Sequence, residues 1–309
     1  MPALSLPTFP RSSSALPDDL RQQLGRVRHI VTDLDNTMVS HGTALANADR
    51  QPSFELPQTL VTLREADIDV TPCSGRNRAM IREDARMLGL TSWIGEMGGV
   101  LCTHEGANAT WEYFTAEMPY DPDCDLTPHD LIMETGIVDR LLARWFDSLE
   151  LYNDNGIGYQ YREVSVALRG AVVEDEAQAM LDETSLPLEL VDNGLVTTIT
   201  GSTILPAFED GTVEDVHTYH LNPRGLDKGT ALQRYIELMD WDPAEVMACG
   251  DSPADCTMAL YVGTFLIMSN GIRNPKVQAA LATAGNAWVS SAPSVDGWCE
   301  AARTLVALR

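Results

Sequence analysis

Residues 28–37 read RHIVTDLDNT, a short apolar stretch that runs directly into two aspartates. The apolar part is typical of a short buried strand that ends at Asp33. Residues two apart on an extended chain point the same way, so Asp33 and Asp35 direct two carboxyl groups towards one point. Like charges that close resist joint ionisation unless a cation lies between them or one is protonated. The pattern indicates either a nucleophilic carboxylate beside a general acid or a strand end with capping aspartates.

Strands and helices alternate on both sides of this stretch, and the same alternation returns late in the chain. Such alternation is typical of parallel β-α-β units, which place ligand sites at the carboxyl ends of the strands. We therefore predict an α/β fold with a Rossmann-like parallel sheet. The predicted strands are 28–33, 68–74, 245–250, 264–269 and 287–290, and the predicted helices are 56–66, 78–88, 228–239, 254–260, 274–284 and one that begins at about 295.

The middle of the chain has a different pattern, which predicts a separate α+β module inserted into the α/β domain. It begins with an aromatic, loop-like stretch at 110–128. The predicted helices are 137–149 and 175–184, and the predicted strands are 160–168, 188–190 and 195–200. The predicted organisation is a leader at 1–24, an α/β core made of 25–104 and 223–309, and an inserted cap domain at 105–222.

The composition argues against several classes of partner. The 309 residues include 45 acidic and 21 basic ones, a formal net charge of −24, which opposes binding to nucleic acid or to an anionic membrane surface. No apolar run reaches the ~20 residues that a membrane-spanning helix needs, and the start of the chain lacks the pattern of a secretory signal. Six scattered cysteines without a CxxC pair indicate reduced thiols. We expect a cytoplasmic protein, and the sequence leaves its oligomeric state open.

Three further polar motifs lie at predicted strand ends or helix starts, in a definite order along the chain. Ser74 and Gly75 follow the second strand, where a hydroxyl group and free backbone N–H groups can hold a phosphate. Lys228 begins a helix and is one of only two lysines in the chain. Asp251 and Asp255 follow another apolar strand and supply the hard oxygen ligands that Mg²⁺ takes. Each motif alone is commonly a turn or a helix start, but their joint order favours a phosphate and metal site.

In these motifs the sequence resembles the haloacid dehalogenase-like (HAD) superfamily of phosphatases. The four family motifs correspond to DLDNT, PCSGR, LDKG and GDSPAD, and the segments IGEMGGVL, MSNGIRNPKVQ and PSVDGW resemble secondary motifs of the family. The resemblance covers nearly all of the chain beyond the leader. The size and mixed pattern of the insert resemble the larger C2 cap of type IIB, the branch of the Cof-like, sucrose-phosphate and mannosyl-3-phosphoglycerate phosphatases.

The resemblance implies a mechanism and a cofactor. Asp33 would attack phosphorus and form an aspartyl-phosphate, while Asp35 would protonate the leaving alcohol and then activate water. Mg²⁺ is the implied cofactor. The implied metal ligands are Asp33, the backbone carbonyl of Asp35, Asp251 and, directly or through water, Asp255, and the implied phosphate-binding residues are Thr37, Ser74, Gly75, Lys228 and Asn270.

These motifs predict a Mg²⁺-dependent phosphomonoesterase that acts on a small sugar phosphate or a related phosphorylated metabolite. Two alternatives stay open. Phosphomutases and other phosphotransferases of the same superfamily resemble this motif set. A catalytically idle binder of a phosphorylated ligand is the other, because Ala254 and Met97 replace asparagines that the family usually has at these positions.

The insert also carries the side chains from which we expect substrate choice, since the core motifs are committed to the phosphoryl group and the metal. We interpret His217 and His220 as surface residues, because a metal site would need a further ligand. Arg162 and Arg169 flank a strand and are offered for a second anionic group, although solvated strand ends are the simpler interpretation. The side chains proposed to contact substrate are Trp111, Tyr159, Tyr161, Arg162 and Arg169.

Overall fold

A computed structural model describes residues 6–12, 16–106, 108–152, 160–195 and 215–309. Within these ranges the strands are β1 (His29–Thr32), β2 (Asp69–Pro72), β3 (Trp93–Gly95), β4 (Val100–His104), β5 (Thr110–Tyr113), β6 (Leu149–Leu151), β7 (Val166–Gly170), β8 (Leu188–Leu195), β9 (His217–Pro223), β10 (Val246–Gly250), β11 (Thr264–Ile267) and β12 (Ala287–Val289). The α-helices are α1 (Asp18–Gly25), α2 (Glu55–Glu65), α3 (Arg78–Met87), α4 (Pro128–Glu134), α5 (Ile137–Arg144), α6 (Glu174–Asp182), α7 (Lys228–Met239), α8 (Pro253–Cys256), α9 (Pro275–Ala280) and α10 (Ser294–Val306).

Five parallel strands form the central sheet, in the order β12-β11-β10-β1-β2. The strands are short and almost wholly buried, as parallel strands covered by helices on both faces should be. In the register of β1 with β10, Thr32 lies opposite Cys249. The loops that follow these two strands therefore leave the same edge of the sheet, which brings together motifs more than 200 residues apart. The predicted fold class is confirmed.

A small antiparallel sheet, β3-β4-β5, lies after the second β-α unit. The predicted loop at 110–128 is wrong at its start, because residues 110–113 form β5. The side chains of β5 are exposed or half-buried, so the strand has no buried apolar face that would mark it in the sequence. The predicted domain boundary after residue 104 falls in the turn between β4 and β5, and the domain boundaries stay a prediction.

The insert contains a four-stranded antiparallel sheet in the order β6-β7-β9-β8. One face of this sheet is apolar and packs with helices α4, α5 and α6 in a cluster of its own. Successive residues of a strand face opposite sides, so the other face carries the polar residues of β7 and β9. The predicted helix at 137–149 ends earlier, at Arg144, and residues 149–151 form β6 instead.

The segment before β7 is not a strand, although the sequence predicts one over 160–168. Its backbone N–H groups have a different partner, the buried carboxylate of Glu96. That carboxylate accepts hydrogen bonds from the backbone nitrogens of residues 163–165 at 2.8 to 3.0 Å and from the Ser165 hydroxyl at 3.2 Å. A sheet ladder cannot use the same donors. One buried core carboxylate therefore fixes the start of the cap sheet.

Two other predictions fall at the limits of the structure. Tyr159 lies outside the described residues. The predicted strand at 195–200 also lies outside them, except for Leu195, which ends β8. No helix in the described parts of the chain has the length and apolar character needed to cross a membrane.

Candidate active site

The first site element is the chain after β1. Asp33 is the first residue beyond the strand, its backbone N–H donates to the Cys249 carbonyl at 2.9 Å, and its side chain is only 11% exposed. The Lys228 ammonium donates at 2.6 Å to Asp33 Oδ1 and at 2.6 Å to Asp255 Oδ1. Lys228 is held there because α7 begins with a capping box, in which Asp227 accepts from the first backbone N–H groups of the helix.

The loop after β10 brings two more acids to the same place. Asp255 is fully buried, and its Oδ2 accepts from the backbone nitrogens of Asp251 and Ser252 and from the Ser252 hydroxyl, at 2.7 to 3.0 Å. Gly250 permits this packing, because a Cβ at that position would lie 2.1 Å from the Cβ of Asp255. Both oxygens of Asp255 are thus engaged, and they orient Lys228 and the backbone of Asp251.

Two polar side chains from distant loops hold the Asp251 carboxylate. Thr37 donates to Oδ1 at 3.0 Å and Asn270 donates to Oδ2 at 3.1 Å. Thr37 turns back towards the site after Asn36, whose left-handed backbone (φ 61°) an asparagine tolerates well. Asn270 is itself fixed by the Ser294 backbone N–H, which donates to its Oδ1 at 2.9 Å. The structure therefore places the predicted residues Thr37 and Asn270 on Asp251.

Three carboxylates form a group that could hold a metal ion. One oxygen each of Asp33, Asp251 and Asp255 lie within 4.8 Å of one another. Burial raises the pKa of Asp251 to about 7, and the nearby Asp255 charge acts in the same direction. Burial also raises the pKa of Asp33, which Lys228 opposes. The pKa of Lys228 stays above its ordinary value because Asp255 and Asp33 overcome the effect of its burial. Uncompensated negative charge of this kind favours a bound cation.

Asp35 differs from Asp33 in its surroundings. Its side chain is half exposed, and both of its oxygens accept from the Arg76 guanidinium, at 2.7 and 3.0 Å. Arg76 also donates to Asp84 on α3 at 2.7 Å. In the sequence Arg76 is part of the PCSGR motif, which does not indicate that it pairs with Asp35. The two carboxyl groups that the sequence directs towards one point thus have separate cationic partners.

The predicted phosphate-binding loop lies between the core and the cap. Ser74 is buried, and its hydroxyl accepts from the backbone N–H of Arg76 at 3.3 Å. The carbonyl of Gly75 accepts from the Arg162 guanidinium of the insert at 2.9 Å. A Cβ on Gly75 would lie 3.1 Å from the Met97 sulfur, so a larger residue would have to displace that side chain. The cap therefore contacts the loop that the motifs assign to phosphate.

Several residues of the insert are placed differently from our interpretation of the sequence. His220, Arg162 and Arg169 are 2%, 8% and 1% exposed, so they are neither surface residues nor solvated strand ends. Arg169 forms an ion pair with Glu150, which is also buried, at 2.5 Å. The alternation of residues in β9 could have indicated on which face His220 lies. Its neighbours Tyr219 and Leu221 belong to the apolar cluster of the cap, so His220 lies on the opposite face.

The remaining predicted cap side chains line one cavity. Trp111, Tyr161 and Arg162 border a space of about 490 Å³ beside α3. The Arg78 guanidinium lies over the Trp111 ring at 4.3 Å, which is a cation–π arrangement. Arg169 lies elsewhere, on the cap sheet. The side chains proposed to contact substrate therefore lie in two separate places, the cavity beside α3 and the cap sheet.

Comparison with known proteins supports the assignment of the family. A family model described as haloacid dehalogenase-like hydrolase matches residues 202–288. A phosphoglycolate phosphatase of Methanoculleus marisnigri is 26% identical over 278 residues, which cover 90% of this chain and 96% of the relative. A second one, from Haloarcula marismortui, is 26% identical over 78% of this chain and 84% of its own. These matches support the predicted resemblance to the HAD superfamily.

Solved structures of this superfamily share the fold. The sucrose-phosphatase of Synechocystis has a TM-score of 0.57 at 17% identity, with 90% of this chain and 97% of that chain covered. A HAD phosphatase from Bacteroides thetaiotaomicron has a TM-score of 0.58 at 16% identity, with 96% and 100% covered. The predictions that this protein is an enzyme and a phosphatase are confirmed.

Proposed function

We propose that this phosphatase hydrolyses a small phosphomonoester with Mg²⁺, through an aspartyl-phosphate on Asp33. The observation that carries the proposal is the ammonium of Lys228 between Asp33 and Asp255, beside the carboxylate of Asp251. A structural ion pair needs one cation and one anion. Here one ammonium pairs with Asp33 and Asp255, and the Asp251 carboxylate lies beside them. The negative charge in excess favours a divalent cation, which would also bind a phosphoryl group.

The contacts of Asp33 support its proposed role as the nucleophile. Asp33 is fixed by its backbone at the end of β1, and the Lys228 hydrogen bond to Oδ1 holds the orientation of its carboxylate. In the first step an Asp33 oxygen bonds to phosphorus, and the bond from phosphorus to the ester oxygen breaks. In the second step water attacks phosphorus, and the Asp33 carboxylate is released. Lys228 stabilises charge on the transferring group throughout.

Mg²⁺ fits the residues that are present. Ionised carboxylates only accept, and Mg²⁺ is bound through one or two carboxylates together with water and substrate oxygens. Asp33, Asp251 and the carbonyl of Asp35 would hold the ion, while Asp255 acts through the loop because its oxygens are already engaged. When bound, the ion would neutralise charge on the phosphoryl oxygens.

Asp35 is proposed as the acid that protonates the leaving oxygen and as the base that takes a proton from the attacking water. In the structure Arg76 binds both of its oxygens. Each carboxylate oxygen has two lone pairs, so a lone pair on each remains for proton transfer while Arg76 is bound. Arg76 would then act as a positioning residue that keeps the carboxyl at the edge of the site.

The proposed substrate has a small leaving group. The motifs favour a sugar phosphate or a related metabolite, and the curated relatives are named for phosphoglycolate. Cap side chains approach within about 4 Å of the position of a Cβ on Gly75, which supports the shorter ester of the two. Phosphotransfer and idle binding remain outcomes of the same test.

The test is release of inorganic phosphate from p-nitrophenyl phosphate, 2-phosphoglycolate and a panel of sugar phosphates, with Mg²⁺ and with EDTA. We expect Mg²⁺-dependent hydrolysis, with one of the metabolites preferred over p-nitrophenyl phosphate. Binding of phosphorylated compounds without any release of phosphate would show an idle binder. Transfer of the phosphoryl group to an added sugar instead of water would show a phosphotransferase.

A further inference from the structure

The cap sheet turns a buried polar face to the core, and this face includes atoms without partners. His220 on β9 is 2% exposed, and its Nδ1 has no hydrogen-bond partner among the described residues. Two residues further along the same face, the side-chain oxygen of Asn222 is buried and unpartnered as well. A buried polar atom without a partner costs free energy, and two on one face indicate that the face serves something besides folding.

This face lies against the phosphate-binding loop. A Cβ on Gly75 would lie 3.6 Å from His220 Nε2 and 3.7 Å from the Asn193 amide nitrogen. Arg162 connects the same loop to the cap, since its guanidinium donates to the Gly75 carbonyl. A phosphoryl group held by the loop would thus have its ester oxygen near the cap sheet. The close approach of these side chains to Gly75 favours a short leaving group.

The charge around His220 favours an anion. Burial lowers the pKa of His220 well below its ordinary value, and the positive charges of Arg162 and Lys228 act in the same direction. The imidazole is therefore neutral and presents one N–H donor. The Arg162 guanidinium, which donates to the Gly75 carbonyl beside the ring, would attract a carboxylate brought next to it.

We propose that His220 and Asn193 form the subsite for the leaving group and select a short leaving group that carries a carboxylate, as in the phosphate ester of a small hydroxy acid. A ring N–H of His220 and the amide of Asn193 donate to the carboxylate oxygens. This inference rests on the proposed phosphatase function and assigns its specificity to two side chains of the cap that the motifs do not include.

The experiment compares two substrates of matched length, 2-phosphoglycolate and ethyl phosphate, which differ only in the carboxylate. Steady-state kinetics with Mg²⁺ are measured for the wild-type enzyme and for the variants His220→Leu, His220→Gln and Asn193→Ala. Tyr219→Phe is the matched control, because it changes a neighbouring residue of β9 on the opposite, apolar face. Thermal unfolding of each variant checks that the cap is folded.

We expect the wild-type enzyme to prefer 2-phosphoglycolate. His220→Leu should lower kcat/KM for that substrate by about 10- to 100-fold, the loss expected for a hydrogen bond to a charged group, with a change below about threefold for ethyl phosphate. His220→Gln, which keeps a donor, should recover part of the loss. Asn193→Ala should act in the same direction by a smaller factor, and Tyr219→Phe should leave the preference unchanged.

Three results would overturn the proposal. The first is equal kcat/KM of the wild-type enzyme for ethyl phosphate and 2-phosphoglycolate. That result would contradict the proposed subsite but not the phosphatase function. The second is an equal loss on both substrates in the two His220 variants, which would make His220 a structural residue. The third is no change on either substrate. A wild-type enzyme that hydrolyses no ester, p-nitrophenyl phosphate included, would instead remove the proposed function on which the inference rests.

Discussion

The two surfaces that meet at the site satisfy their polar groups to different degrees. On the core side, every oxygen of Asp251 and Asp255 accepts a hydrogen bond, and Lys228 joins Asp255 to Asp33. On the cap side, His220 and Asn222 each keep a buried atom without a hydrogen-bond partner in the described part of the chain. A fully bonded surface is organised before the ligand arrives, which suits chemistry that is the same for every ester. A surface with unpaired polar groups is stabilised only by a ligand that forms the missing hydrogen bonds, which makes it selective.

The largest effect is expected on the core side. Asp33→Asn should lower phosphate release by at least about a thousandfold for every ester, because an amide cannot form the covalent intermediate. The amide is nearly isosteric with the acid, so the fold should remain. Phosphate release and thermal unfolding are measured side by side. Retention of more than a few per cent of wild-type turnover, in a preparation free of wild-type enzyme, would remove Asp33 as the nucleophile.

The second prediction compares two buried cations, one in the proposed metal site and one on the cap sheet. Lys228→Met and Arg169→Met each leave buried carboxylates without their cation, and each should lower the free energy of unfolding by about 3–5 kcal/mol. Urea unfolding is measured with EDTA and with Mg²⁺. Added Mg²⁺ should restore part of the stability of Lys228→Met, whose carboxylates lie at the proposed metal site, and none of that of Arg169→Met. The same response to Mg²⁺ in both variants would contradict the assignment of the metal site.

The third prediction concerns the response to metal. Asp251→Ala should lower activity by about a hundredfold or more and remove its dependence on Mg²⁺, because the ion would lose its only carboxylate besides Asp33. Activity is titrated with Mg²⁺ up to saturation. Asp182→Ala is the matched control, since this acid pairs with Arg224 on the exposed surface of the cap. Near-normal activity of Asp251→Ala at saturating Mg²⁺ would sink the assignment.

The fourth prediction tests the connection between the two surfaces. Glu96→Gln places an amide NH₂ where the carboxylate accepts backbone N–H groups of residues 163–165, and it should destabilise the protein by about 1–3 kcal/mol. Hydrogen exchange at these amides should become faster. Glu83→Gln is the control, because Glu83 forms only an exposed ion pair on α3. Unchanged exchange in Glu96→Gln would show that the carboxylate does not hold the cap segment.

The smallest effect is a pH dependence on the cap side. The folded protein keeps His220 neutral because its pKa is lowered, whereas the unfolded chain takes up the proton below about pH 6.5. This group therefore reduces stability as the pH falls through that value, by up to about 1.4 kcal/mol per pH unit. Urea unfolding at pH 7.5 and 5.5 should show a smaller loss for His220→Leu than for the wild type. Equal losses would mean that His220 takes up a proton without cost.

The parts of the site that could be predicted are those that depend on residues close together in the sequence. The sequence predicts that Asp33 and Asp251 meet because both follow strands, and parallel strands end at one edge of a sheet. Lys228 is predicted at a helix start because the helical pattern of residues 228–239 begins there. Strand β5 and the segment 160–165 could not be predicted correctly, because their hydrogen-bond partners lie elsewhere in the chain.

The sequence by itself determined the α/β alternation, the order of the motifs and the acidic character of the site, since these depend on local periodicity and residue type. Only the tertiary structure decided that Arg76 pairs with Asp35, that Glu96 holds the start of the cap sheet, and that His220 is buried against the Gly75 loop. Burial and pairing depend on which surfaces pack together, and the residue types along one strand do not specify the partner surface.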